Sequence, residues 1–222
     1  MNLKKFSEKD SQKIADAARK AEQKTSGEIF TVLTQNCQEY HGNLFVVAVI
    51  PFILIIAFIM IFSDTYISLL QGMFWEIEMD SLVFLTSVIP LAFFIVFFFV
   101  FSFPALKYTI VPKERMKKEV RLHAESAFFR HGITATEGAT GVLIFISFFE
   151  RRVELLVDYK IRQKIENKEW EEVVNNIIKG IKSDNFIDVL SDEIVRCGEI
   201  LSKDFPRKSD DIDELDNKPV IE

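Results

Sequence analysis

Two long stretches of the chain carry no charge. Leu44 to Phe62 reads LFVVAVIPFILIIAFIMIF, and Leu82 to Leu106 reads LVFLTSVIPLAFFIVFFFVFSFPAL. A hydrocarbon core about 30 Å thick is crossed by roughly 20 helical residues, so each stretch is predicted to span a bilayer. Helices apolar on every face suit the interior of a small domain poorly. Pro51 and Pro90 fall inside the spans, where membrane helices tolerate local kinks. Neither span holds an ionisable residue, and Thr86, Ser87 and Ser102 are their only hydroxyl residues. Ion and proton pathways usually place charge at membrane depth, so the pattern argues for an anchor rather than a pore.

Outside the spans the apolar positions recur with shorter periods. In residues 3–24, Phe6, Ile14, Ala17 and Ala21 follow a helical spacing, and Ser7 with Asp10 forms a capping-box pattern. Thr25-Ser26-Gly27 stops this helix, and EIFTVLT, Glu28 to Thr34, reads as a strand. After the spans Pro112 opens a helix reaching about Arg130, with Met116, Val120, Ala124, Ala127 and Phe128 as its apolar stripe. Gly141 to Phe148 is a near-continuous apolar run, as expected of a central strand covered on both faces. A turn near Glu150-Arg151 leads to a further strand, Val153 to Asp158, and the rest is helical up to Pro206.

This order predicts an α/β fold, with helices on a small mixed sheet interrupted by an inserted two-helix transmembrane hairpin. The parts are 1–36 (first helix and strand), 43–106 (hairpin, spans 44–62 and 82–106, short acidic loop 63–81), 112–206 (remainder of the domain) and 207–222 (acidic tail). The tail, with Asp213, Glu214 and Asp216, offers little to bury and is expected to be disordered. An inserted hairpin must leave and return at neighbouring points of the domain, and its return is expected to be linked to closure of the sheet.

Charge sets the expected orientation. The loop 63–81 has no Lys or Arg and carries Asp64, Glu76, Glu78 and Asp80, whereas Lys107, Lys113, Arg115, Lys117, Lys118 and Arg121 follow the second span. The positive-inside rule places that flank, both termini and the domain in the cytoplasm, expected on the inner (plasma) membrane of a bacterium. The formal net charge of −6 gives nucleic-acid binding little support. The two cysteines, Cys37 and Cys197, and three scattered histidines show no zinc spacing.

The ordered set Thr25-Ser26-Gly27-Glu28-Ile29, Thr140-Gly141-Val142-Leu143-Ile144, Glu150-Arg151-Arg152-Val153-Glu154, Val157-Asp158 and Trp170 resembles the TPM domain, found in thylakoid photosystem-repair proteins and many bacterial membrane proteins. The resemblance implies an α/β/α sandwich. It also implies either a role in binding, assembly or quality control of a membrane protein complex, or a weak, metal-assisted acid-phosphatase activity. The partners expected are the lipid bilayer and another membrane protein. A divalent cation such as calcium is the cofactor the second activity would use. Asp158-Tyr159-Lys160 departs from the glycine often found after that strand in the family.

Three acidic residues are candidate metal ligands. Asp158 ends a strand at a βα junction, where α/β folds gather ligands, though it also suits a helix N-cap. Glu28 begins the first strand, and Glu137 lies in the loop Thr134 to Thr140 near the same sheet end. No arrangement of nucleophile, base and orienting group is visible, so no catalytic residue is assigned.

Overall fold

The computed structural model describes residues 3, 6–73, 79–136, 138–183, 185–208 and 213–222. The chain runs α1 (Glu8–Glu22), β1 (Glu28–Thr34), α2 (His41–Ile61), α3 (Ser63–Met73), α4 (Met79–Ser102), α5 (Pro104–Ile110), α6 (Lys113–Arg130), β2 (Gly141–Ser147), β3 (Arg152–Val157), α7 (Tyr159–Lys164), α8 (Asn167–Ile181), α9 (Phe186–Ser202) and β4 (Val220–Ile221). It forms two compact units, one from residues 1–38 with 113–222, the other from residues 39–112.

The first unit is built on a mixed sheet in the order β3-β2-β1-β4. β1 runs parallel to β2 and to β4, and β2 runs antiparallel to β3. Strand alternation divides the core in two. Ile29, Leu33, Val142, Ile144 and Ile146 face α1, α8 and α9, while Phe30, Val32, Leu143, Phe145 and Leu156 face α6. Helices therefore cover both faces, and every residue of β2 is buried, which explains its uninterrupted apolar sequence. Both clusters draw only on residues of this unit.

Local chemistry starts and stops these elements where the sequence suggests. Asp10 Oδ2 accepts from the Ser7 N–H (2.9 Å) and Ser7 Oγ from the Asp10 N–H (3.3 Å), closing the capping box. Helices α1 and α9 meet with almost no side chain between them. A Cβ on Gly198 would lie 2.6 Å from Ala21 Cβ and 2.7 Å from its Cα. Gly198→Val is expected to destabilise by about 2–3 kcal/mol, since overpacking against backbone has no cheap relaxation. A urea midpoint unchanged from the parent would disprove this close approach.

The β2–β3 turn ties both chain segments that border the other unit. Glu150, 1% exposed, accepts from the Cys37 N–H at 3.1 Å and from the Ser147 hydroxyl. Two residues on, the Arg152 guanidinium donates to the Lys113 carbonyl at 3.3 Å. The segments before residue 39 and after residue 112 thus reach the same turn, as an inserted hairpin requires.

In the second unit α2 and α4 pack through edge-to-face contacts of Phe94 with Phe45 (6.3 Å between centroids) and Phe52 (5.8 Å). Leu44–Ile61 and Val83–Ser102 are long and apolar enough to cross a membrane. Three boundaries differ from the sequence reading. The region read as a short loop, 63–81, contains the helix α3, while Glu76 and Glu78 lie outside the described residues. The second span stops at Ser102 rather than Leu106, because Phe103 is extended (ψ 135°) ahead of Pro104, which opens α5. The acidic tail, expected to be disordered over 207–222, ends in β4, with Val32 opposite Val220 and Leu33 opposite Ile221. Pairing to β1 gives this short segment backbone partners and partly buries Leu215 and Val220 against the α6-side core.

Candidate functional site

Sheet register places two of the three candidate acids at one end of the domain. Glu28 pairs with Gly141, and the Asp158 N–H donates to the Gly141 carbonyl at 2.9 Å. The acids therefore flank the first residue of β2, roughly 10 Å apart at the backbone given two strand spacings. Gly141 is required here, since a Cβ would lie 2.5 Å from both the Ile133 carbonyl oxygen and Ile133 Cγ2. Glu137 lies outside the described residues.

The two acids serve different neighbours. Asp158 Oδ1 accepts from the Tyr159 N–H at 2.6 Å and caps α7, leaving Oδ2 buried without a partner. Glu28 is 3% exposed and lies beneath the C-terminal tail, whose Glu214 and Leu215 N–H groups donate to its carboxylate. Burial pushes its pKa up to about 7, against those two hydrogen bonds and with Asp213 and Glu214 adding like charge.

A third acid joins Glu28, one that the sequence reading passed over. Glu22, in the last turn of α1, is 3% exposed, and its Oε1 accepts from the Ile29 N–H at 3.0 Å. Burial pushes its pKa up to about 8, with Glu28 and Asp213 contributing repulsion. The spacing Ile14, Ala18, Glu22 puts it on the buried face of α1, a signal available in the sequence. Glu22 Oε2 and Glu28 Oε2 both lack partners.

The threonine-rich loop is occupied by structural work. Thr140 Oγ1 donates to the Ser26 carbonyl (2.9 Å), Thr136 Oγ1 accepts from the Thr140 N–H (3.3 Å), and Thr25 Oγ1 donates to the Phe205 carbonyl (2.6 Å). Among the described residues no three His, Cys, Asp or Glu side chains form a group that could hold a metal ion. Asp158 turned to α7 and Glu28 turned to the tail do not fit a single hard-cation site, which needs six to eight converging oxygens. Burial pushes the Cys37 thiol up to about 12, with Glu150 adding to the effect, and Cys197 is raised in the same way, so neither is a ready nucleophile.

The family model of the TPM domain matches residues 107–195. No curated protein matches the chain. Among solved structures it is similar to the NMR structure of BA42 protein from the psychrophilic bacterium Bizionia argentinensis, with a TM-score of 0.57 and 21% identity over 100% of this chain and 99% of that one. At that identity the likeness establishes the fold: an α/β unit with a small mixed sheet. The stretch similar to the TPM domain runs from α5 into α9 and includes the Gly141–Val142–Leu143–Ile144 and Glu150 to Val153 segments.

Proposed function

We propose that the chain is a membrane-anchored TPM module that binds another membrane protein and assists its assembly or quality control without catalysing a reaction. The observation that carries this reading is the outward display of the two apolar helices. Only 11% of Leu44–Ile61 and 6% of Val83–Ser102 is buried, which supports apolar surroundings other than a protein core. A bilayer supplies the missing apolar surroundings. The Lys and Arg run from Lys107 to Arg121 supports a cytoplasmic N-terminus and domain.

Topology is tested by labelling single cysteines in intact cells with a membrane-impermeant thiol reagent, in a Cys37→Ser, Cys197→Ala background. Ser68→Cys, at an exposed position of α3, is expected to label, and Lys9→Cys in α1 to label only after lysis. The reverse pattern overturns the orientation.

The second reading, a weak acid-phosphatase-like hydrolase, draws on Asp158 Oδ2, a buried carboxylate oxygen without a partner at a βα junction. Asp158→Ala separates the two roles. As a cap alone, Asp158 contributes about 1 kcal/mol, seen as a lower urea midpoint, and turnover of a model phosphate ester stays at background in parent and variant. Turnover by the parent that Asp158→Ala abolishes would establish the hydrolase instead.

A further inference from the structure

β3 is the outer strand of the sheet on the side away from β4. The hydrogen bond from Asp158 to Gly141 fixes the phase of the ladder. Leu156, Glu154 and Arg152 turn their backbone groups toward β2, so Val153, Leu155 and Val157 turn theirs outward. The Val157 carbonyl accepts from the Arg162 guanidinium at 3.4 Å. No hydrogen bond from a described residue reaches the outward groups of Val153 or Leu155. Such an edge is a template for a further strand unless something blunts it.

The edge lies in a groove of about 870 Å³ whose walls differ in character. On the α6 side stand Lys117 and Arg121; Arg121 is held by Glu125 and Glu154, while Lys117 has no ion-pair partner among the described residues. On the α8 side stand Val174 and Trp170, next to the half-exposed Leu155, together with the exposed Asn167, Glu171 and Asn175. Trp170 is 5% exposed, and its indole N–H has no acceptor. Alternate side chains of a strand laid along β3 would face these two walls in turn. The α6 wall offers the Lys117 ammonium, and the α8 wall offers apolar surface at Val174 and Leu155 together with the Trp170 indole N–H. The complementary occupant is extended and alternates acidic with apolar residues.

We propose that the β3 edge docks an extended peptide segment of a partner protein, apolar and acidic by turns, which joins the sheet as a fifth strand. This rests on the reading of the chain as a protein-binding module. The opposite edge shows the sheet accepting such an addition, since Val220–Ile221 of the chain's own tail pairs with β1 there. A second copy suits the groove less well, because its own β3 would bring α6 and α8 against their counterparts.

The test uses the full chain in nanodiscs and a heptapeptide alternating valine with aspartate, blocked at both ends. It is expected to slow amide exchange at Val153 and Leu155 at least tenfold. The same peptide with lysine for aspartate should bind at least tenfold more weakly, as should one N-methylated at its pairing amides. Lys117→Glu should weaken the aspartate peptide while leaving the urea midpoint unchanged. Unchanged exchange at Val153 and Leu155 under millimolar peptide overturns the proposal, as does equal binding of the lysine peptide. Protection of the same amides that grows with protein concentration, without peptide, assigns the edge to a second copy and also overturns it. Photocrosslinkers at Lys117 and at Phe129, exposed elsewhere on α6, separate this idea from the reading beneath it. Adducts to a membrane protein from Phe129 alone sink the groove and leave the module. Adducts from neither position sink the module itself.

Discussion

Raising the pH from 5 to 9 is expected to destabilise the α/β unit by about 3–5 kcal/mol, a large share of what holds a domain of this size together. The cause is the pair of buried acids under the tail. Glu22 and Glu28 are raised from an ordinary value of 4.5 to about 8 and about 7, first by burial. A carboxyl with a raised folded-state pKa binds its proton more tightly in the native state than in the unfolded chain. Its contribution is fully present below pH 4.5, falls as pH rises through that value, and is gone above the folded-state pKa near 7 to 8. The two effects add incompletely, since Glu28 itself helps to raise Glu22.

Urea unfolding followed by Trp170 fluorescence, in a Trp75→Phe background, measures the slope. Glu22→Gln and Glu28→Gln should each flatten it and raise stability at pH 9 while changing little at pH 5. Truncation before Asp213 should flatten it too, by admitting water to Glu28 and removing the like charge of Asp213 and Glu214, though it lowers stability at pH 5 through the loss of β4. Stability that is level from pH 5 to 9 would show that these carboxyls are not desolvated in solution.

How much of this could be read from the chain depends on the range over which each feature is encoded. The capping box at Ser7 and Asp10 and the bounds of β1, Glu28–Thr34, rest on residues within a few positions of each other, and the sequence predicts both. Asp158 is foreseen as a cap for the same reason: cap and helix are neighbours in the chain. The two charge-free apolar helices are legible because composition alone identifies them. β4 is not. Two residues carry no periodicity, and their partner β1 lies almost two hundred positions away, so only the folded sheet reveals why the acidic tail ends there. Glu22 and Glu150 were hidden for a related reason. An acid in a charged segment reads as solvated until a distant element, the β1 backbone for Glu22 and the Cys37 N–H for Glu150, is brought over it. The candidate site suffers most from this, because Glu28 and Asp158 are aligned by register with Gly141, whereas the direction of each carboxylate is set by the tail and by α7.

Replacing residues 39–112 with a flexible linker of about six residues is expected to yield a folded domain that stays in solution without detergent. The order of elements alone suggests the opposite, that the sheet cannot close until the hairpin has returned. The packing favours a domain that closes on its own. Both hydrophobic clusters, including all of the apolar side chains between β2 and its covering helices, come from residues 1–38 and 113–222. The two cut ends are already held at one place, Cys37 by Glu150 and Lys113 by Arg152 on the β2–β3 turn. A short linker therefore spans between points the domain itself fixes. Shortening the closed loop from about seventy residues to about six also lowers its closure entropy cost by roughly 2 kcal/mol. The excised domain should show slow amide exchange through β2, the strand buried along its whole length, and the same loss of stability between pH 5 and pH 9. Recovery only in detergent, or fast exchange across β2, would mean that residues 39–112 contribute to the fold of the α/β unit.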